Sequence, residues 1–468
     1  MSPIEFRHGF VTMDRPSFRW TKERAVRDME PLVLQQLLAS ILAQRLVVVC
    51  GAGLSMGKPA AAPSAKEVSQ VCFDSYTAST GAALDAPLRD DLEKLADYFY
   101  DNHTLQSVFI SSLVPWDRFV RPPNAGHIAI ADFLWIRAVA AALSSNYDTM
   151  IERHAGNCGA DVRPSLDGAS ATARAPVHSP LLKFHGCQFC DADSTVWTKK
   201  QLGDAVIAER IESSRAWMEA NLQHKDLLVV GFWSDWSYLN TILGNVLGVV
   251  APASVTVIDP SDSAQLQAKA PELWAVAHSA GVTFTHVQQY AETALDELHR
   301  AFSKAYLRRL LNSGKASAEA QWGAACDPTW LAPPDLSAQE LYGLRRDAEG
   351  VPSTKPARLR EPMSGDALGM FHLLLIRAGA VANARGYLLG GQQIRVINGA
   401  NVLLSTLRQA FSDEPPAVSA ADIVVGVGAT DLPYPGSVVR GGTPGGMIRG
   451  TASGDWLDLS AARARLGV

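Results

Sequence analysis

His185 follows the apolar run Leu181–Phe184 and precedes Gly186, so its imidazole stands at a strand end with little crowding. Histidine is the side chain best placed to take a proton near neutral pH, although a lone histidine is as readily structural. Asn146 and Asp148 lie just past the run Ala138–Leu143 and two residues apart. They can face one cleft, or they can cap a helix start. Gly51-Ala52-Gly53-Leu54-Ser55 directly follows the run Leu46–Cys50. Glycine lets backbone N–H groups come close to a pyrophosphate, and a following helix N-terminus favours negative charge; a tight turn without ligand would use the same residues. Gly231, Ser234 and Asp235 follow Leu227–Val230, which also reads as an ordinary strand-to-helix turn. Asp259 ends Val255–Ile258, where an acid can bond a ribose hydroxyl or merely cap the turn. Pro123-Asn124-Ala125-Gly126-His127 reads as a helix start with an Asn cap and a surface histidine.

These residues need elements to hold them. Leu32–Leu42 places apolar residues at helical spacing, with Pro31 in the first turn. Each apolar run named above then stops at a polar or glycine position, and helical patterns separate the runs. That alternation predicts a Rossmann-like parallel sheet with helices on both faces, which binds ligands outside the strands' carboxyl ends. A helical pattern over Glu292–Leu311 closes this unit. Beyond it, 312–362 reads as a linker and 363–468 as a smaller α/β or α+β domain, with residues 1–28 as an arm ahead of the main domain 29–311. Asn398-Gly399 suggests a hairpin turn, and the Gly/Pro-rich segment PYPGSVVRGGTPGGMIRG reads as loop.

With 468 residues, 47% hydrophobic and 19% charged, the chain is of globular rather than disordered composition. A net charge of −5 without a Lys/Arg block gives no indication of direct nucleic-acid binding. The richest apolar stretch, Phe133–Leu143, is short and broken by Arg137, so no membrane span is expected. A charged N-terminus and six mostly isolated cysteines suggest a cytoplasmic protein.

In order and spacing, the series GAGLS, PNAGH, SSNYDTMIE, KFHG, VWTKKQL, VVGFWSDWSYLN and VIDP resembles the sirtuin-like (silent-information-regulator) superfamily over residues 30 to about 305. The Gly-Phe-Trp-Ser-Asp form and the Thr-Lys-Lys segment look more like bacterial antiphage-defence NADases than protein deacylases. The resemblance implies NAD⁺ as substrate, held at the glycine turn with Gly51, Ala52, Gly53 and Ser55 at the phosphates. Asn146 would sit under the nicotinamide ribose and help place a nucleophile. Asp148 would line the nicotinamide pocket or orient Asn146, and His185 would be the general base. Ser234 and Asp259 would line the adenosine side, with Gly231 and Asp235 in the same cofactor-binding set.

Two departures from the deacylases shape the functional expectation. Cys187 and Cys190 form one CxxC pair and no second pair follows, so no structural zinc is expected, although Asp191, Asp193 or His224 are conceivable further ligands. The loop Met56–Pro63 lacks the acid and arginine of an acyl-peptide site, which makes water the expected nucleophile and ADP-ribose, linear or cyclic, the product. The leading expectation is therefore a gated NAD⁺ glycohydrolase acting in abortive infection. A protein deacylase or ADP-ribosyltransferase and a non-catalytic NAD⁺ or ADP-ribose sensor are the other classes. The C-terminal region would be a sensor, an oligomerisation surface or a docking site. A homo-oligomer is expected, and so is an activating partner such as a helicase-like ATPase, a short Argonaute or a phage protein.

Overall fold

The computed structural model describes residues 28–233, 243, 244, 246, 248–350, 365–399, 402–411, 420–430 and 454–468. Ser234, Asp235, residues 1–27 of the expected arm and the Gly/Pro-rich segment 433–450 lie outside the described residues.

β1 (Leu46–Cys50) is a run of β-branched and apolar side chains, and all five are buried. Its alternate residues serve different layers. Leu46, Val48 and Cys50 pack with Ile41, Phe133 and Leu298 on one face, while Val47 and Val49 pack with Trp217 and Leu273 on the other. A strand buried on both faces needs no polar alternation, which explains its unbroken apolar text.

β1 is the centre of a seven-stranded sheet in the order β3-β4-β2-β1-β5-β6-β7. The strands are β2 (Ala141–Ser144), β3 (Pro164–Ser165), β4 (Leu181–Leu182), β5 (Asp226–Val230), β6 (Ser254–Ile258) and β7 (Thr283–Val287). Every pairing in it is parallel. The chain runs outward from β1 through β2 to the edge strand β3, steps back to β4 between them, then returns to β5 on β1's other side, with Val48 opposite Leu228. The strand order thus reverses between β1 and β5, and the crevice beyond their carboxyl ends is the ligand position of such sheets. The Rossmann-like expectation matches this sheet. β2 begins later than the apolar run that marks it, because Ala138 first closes the preceding helix by bonding Phe133 O at 2.8 Å.

Between β1 and β2 the chain inserts a helical module, with helices Ala65–Thr80 and Leu92–Asp101 and a π-helical stretch Leu105–Leu113. It has its own aromatic core around Phe99 and Phe109, which Tyr147 and Trp197 join.

The second sheet has five strands in the order β12-β11-β10-β9-β8. They are β8 (Val381–Asn383), β9 (Gly386–Leu389), β10 (Gln392–Asn398), β11 (Ile423–Val427) and β12 (Asp455–Asp458). β8, β9 and β10 are antiparallel neighbours, whereas β11 is parallel to both β10 and β12. The expected hairpin at Asn398-Gly399 is therefore not there. The tight turn falls at Gly390-Gly391, both at positive φ (56° and 82°), and Asn398 instead ends β10. A parallel partner such as β11 requires a crossover, and the helix Leu404–Ala410 lies in it.

Part of the expected linker is ordered structure. The helix expected to stop at Leu311 runs unbroken from Ala291 to Trp322. It crosses the helix Gly365–Arg377 at a glycine pair, where a Cβ on Gly314 would stand 2.0 Å from Met370 N. A second helix, Ala338–Glu349, starts with a Ser337/Glu340 capping box. It ties the two sheets together through two arginines. Arg345, fully buried, pairs with Asp132 and Glu349 and lies 5.2, 5.4 and 5.9 Å from the rings of Phe302, Tyr342 and Tyr306. Two residues on, Asp347 accepts both arms of Arg395 on β10 at 2.7 and 2.6 Å.

Candidate active site

At the crevice, the β1 and β5 loops touch backbone to backbone. Gly51 N–H donates to Val230 O at 3.2 Å and Gly53 N–H to Gly231 O at 2.9 Å. Gly231 adopts a φ of +59°, and a Cβ there would sit 2.3 Å from Leu54 N. This contact requires glycine at 231 whatever else the turn binds. Ala52 is exposed at the start of the short helix Ala52–Met56.

Ser55 is the hub of the site. It is 2% exposed, and its hydroxyl donates to Asp148 Oδ2 at 2.8 Å. Its oxygen accepts from Asn146 Nδ2 at 3.1 Å, and His127 Nε2 lies at the same distance. A serine has one proton. With that proton directed at Asp148, His127 Nε2–H is the donor in the last contact. Asn146 Nδ2 also donates to Gly51 O at 3.1 Å. Both amide protons of Asn146 are thereby committed, and the carbonyl oxygen is the part of the amide left to meet a ligand. Asp148 also caps the next helix, accepting from Met150 N at 3.2 Å through its second oxygen.

The expected Asn cap at Asn124 is present, since its side chain accepts from Gly126 N and His127 N. The expected surface histidine is not. His127 is 0% exposed, because its helix packs against Ser55 rather than solvent, and burial pushes its pKa down to about 4 against the opposing charge of Asp148.

His185 is 2% exposed and stacks on Tyr147 at 4.9 Å, which in turn stacks on Trp197 at 4.5 Å. Tyr147 donates its hydroxyl to Val196 O. His185 Nδ1 lies 3.2 Å from Ser145 O. A carbonyl can only accept, so Nδ1 carries the proton and Nε2 the lone pair. Burial, with a smaller push from the Arg210 charge, drives the His185 pKa down to about 3, so the ring is neutral at pH 7.

Beneath Asp148 lies an ion pair. Lys183, 1% exposed, meets Glu152 at 2.6 Å and donates to Asp148 O. Burial disfavours the ammonium, but the Glu152 charge more than compensates and keeps Lys183 protonated. Asp259, at the end of β6, is buried and caps its own turn by accepting from Ser261 N at 2.8 Å.

The structure thus gathers Asn146, Asp148 and Ser55 into one hydrogen-bonded cluster joined to Gly51, with His185 bonded to the neighbouring Ser145. Gly231 adjoins the cluster through Gly53, and Asp259 stands two strands away from β1. His127, read from the sequence as a surface residue, packs against this cluster, and so do Lys183, Glu152 and Tyr147, which were not singled out from the sequence. The available signal was a lysine inside LLKFHG and a glutamate shortly after Asp148, charges in text that is otherwise apolar. Cys187 is buried and Cys190 exposed, both as free thiols, and Asp191 is taken by Arg210 at 3.0 Å. Among the described residues no group of three or more His, Cys, Asp or Glu could hold a metal ion. No described helix is long and apolar enough to cross a membrane.

No protein-family profile and no curated protein matches this sequence. Among solved structures, the chain is similar to a Sir2 enzyme at 13% identity, covering 58% of this chain and 96% of that one with a TM-score of 0.31. It is similar to a Sir2 homologue in complex with NAD at 16% identity, covering 58% of this chain and 94% of that one, TM-score 0.29. A Sir2 homologue in complex with ADP-ribose is similar at 15% identity, covering 58% and 97%, TM-score 0.32.

Proposed function

We propose that this chain is an NAD⁺ glycohydrolase that cleaves the nicotinamide–ribose bond to give nicotinamide and ADP-ribose. The observation that carries the reading is the fixed amide of Asn146. Gly51 O and Ser55 Oγ take both of its protons, so it offers a carbonyl oxygen at the carboxyl ends of β1 and β2. As nicotinamide leaves, the ribose acquires oxocarbenium character, and an acceptor oxygen held in place stabilises that charge or a water attacking it. Because the amide is already oriented, no reorganisation is needed in the transition state. His185 is neutral with its lone pair on Nε2, the form a base requires, and the pKa of about 3 that burial imposes must rise on substrate binding for the ring to take the water's proton. Asp148 positions Asn146 through Ser55 rather than by direct contact.

The sequence series GAGLS to VIDP supports NAD⁺ as the substrate, and the loop Met56–Pro63 supports water over an acyl-lysine as acceptor. The same sequence reading carries the proposal that the enzyme is a gated effector of antiphage defence.

The test is nicotinamide release from NAD⁺ alone, alongside NAD⁺ binding by calorimetry. Wild type should bind NAD⁺ and, with candidate activators added to open the gate, release nicotinamide without any peptide, whereas Asn146→Ala and His185→Ala should each lose roughly 100-fold or more under the same conditions. Turnover that requires an acyl-lysine peptide would move the assignment to a deacylase. A wild type that neither binds nor cleaves NAD⁺ would overturn the proposal, and activity intact in both variants would overturn the site.

A further inference from the structure

Asn146-Tyr147-Asp148 sends alternate residues to different neighbours. Asn146 and Asp148 both meet Ser55, whereas Tyr147 stacks on His185 with ring centroids 4.9 Å and planes 20° apart. Trp197 stacks on the same tyrosine at 4.5 Å and 23°, which makes Tyr147 the middle ring of three. Trp197 in turn meets Phe109 of the helical module edge-on at 5.5 Å and Trp116, just beyond it, at 5.8 Å. The polar atoms around the stack are tied down as well. Tyr147 O accepts from Gln188 N at 3.0 Å, the Tyr147 hydroxyl donates to Val196 O, and Val196 N donates to His185 O at 3.0 Å. Trp197 Nε1 donates to Thr195 Oγ1 at 2.7 Å. The segment from His185 to Trp197 is thus closed around the tyrosine, and burial pushes the phenol's pKa well up, so it keeps the proton it donates.

A base must carry charge during part of the reaction, and the surroundings of His185 oppose that. Burial disfavours the imidazolium, and the Arg210 guanidinium adds a like charge. Arg210 is itself engaged by Asp191 at 3.0 Å and by Ser194 O at 2.8 Å. The Tyr147 ring supplies an attraction of the opposite sense. An aromatic face draws a cation lying within about 6 Å of its centre, and does so most strongly where water is excluded. An imidazolium at 4.9 Å is within that reach. A neutral imidazole gains much less from the same face, so the interaction grows as the proton arrives.

We propose that Tyr147 is a positioning residue for His185: its ring, backed by Trp197, holds the plane of the imidazole and stabilises the charge that the imidazole acquires on taking a proton. The charge role rests on the glycohydrolase reading, and the holding role does not. Through Phe109 and Trp197 the core of the helical module reaches the same stack, so that module bears on His185 as well.

Two measurements on the full chain test the two roles. Under conditions in which wild type releases nicotinamide, Tyr147→Leu, or Tyr147→Met should the first fail to fold, should lower kcat roughly 10- to 30-fold with KM within about twofold. Tyr147→Phe keeps the ring face and should recover most of that loss. A Phe variant as slow as the Leu variant, or a loss that falls on KM alone, overturns the charge role. The holding role is read by NMR of the histidine-labelled chain without NAD⁺. The carbon-bound ring protons of His185, identified by their absence in His185→Gln, should lie upfield under the ring current of Tyr147. They should move downfield in Tyr147→Leu and stay in place in Tyr147→Phe. A His185 resonance unmoved in Tyr147→Leu overturns the proposal and leaves the glycohydrolase reading standing. A wild type that cleaves no NAD⁺ with any activator overturns that reading and the charge role with it, while an upfield His185 resonance that Tyr147→Leu releases still supports the holding role.

Discussion

Removing the Ser55 hydroxyl should disturb more than one hydrogen bond, and the amount can be worked out. The bond to Asp148 Oδ2 at 2.8 Å is charge-assisted and worth about 1.5–3 kcal/mol. The contacts to Asn146 and His127, each at 3.1 Å, contribute about 1 kcal/mol apiece at most, and Asn146 keeps its bond to Gly51 O. Ser55→Ala should therefore cost about 3–4 kcal/mol. In an Asp148→Ala background the charged acceptor is already gone, and the same substitution should cost only about 1–2 kcal/mol. The cycle thus predicts a coupling of about 2 kcal/mol between two residues 93 positions apart in the chain. Thermal midpoints of the four proteins read it directly, at roughly 2–4 °C per kcal/mol for a domain of this size. Nicotinamide release should fall in Ser55→Ala as well, since Asn146 loses one of its two anchors. Costs that add to within about 0.5 kcal/mol would refute the hub, whatever the activity did.

Three further substitutions or titrations probe the surroundings. Gly231→Ala should destabilise by about 3 kcal/mol, because its Cβ meets backbone at 2.3 Å and its φ is +59°; Gly57→Ala should cost under about 1 kcal/mol, since its Cβ meets only the end of the Glu292 side chain, which can swing away. Equal midpoints for the two variants would contradict this. Lys183→Met should cost about 3–5 kcal/mol by leaving Glu152 buried and unpaired, and adding Glu152→Leu should recover most of the loss; a double variant as unstable as the single one would show that the pair is not the cause. His127 and His185, with folded pKa values of about 4 and about 3, stay neutral while the unfolded chain takes up protons below about pH 6.5. Their contribution is whole above pH 6.5 and is lost as pH falls toward 4, at about 1.4 kcal/mol per residue for each pH unit. The midpoint should drop between pH 6.5 and 5.5 and drop less in His185→Gln, and identical slopes would show that His185 is not buried in solution.

The parallel sheet was legible because strands buried on both faces must be written in continuous apolar text. Leu46–Cys50, Leu227–Val230 and Val255–Ile258 could hardly read otherwise, and their polar successors marked the crevice. β7 was missed because this edge strand, Thr283–Val287, is only half buried and alternates weakly, and β3 because two residues carry no period. The Asn398-Gly399 dipeptide misled for a related reason. Its turn propensity is local, while the parallel pairing of β10 with β11 is set by packing 25 or more residues away.

By itself, the sequence determined which residue types stand just past the carboxyl ends of strands, Asn146 and Asp148 among them, since local hydrophobic patterning places them there. His185 reads as the uncrowded end of a strand Leu181–Phe184, whereas β4 stops at Leu182 and the histidine is buried in the turn beyond. Only the tertiary structure decided what those residues touch. Ser55, His127 and Asp148 come from three separate elements, and which of them donates to which is set by distances that no local pattern encodes. The same holds for burial. Whether a histidine is on the surface, as was expected of His127, or neutral in a core depends on which helix packs over it, and long-range packing alone fixes that.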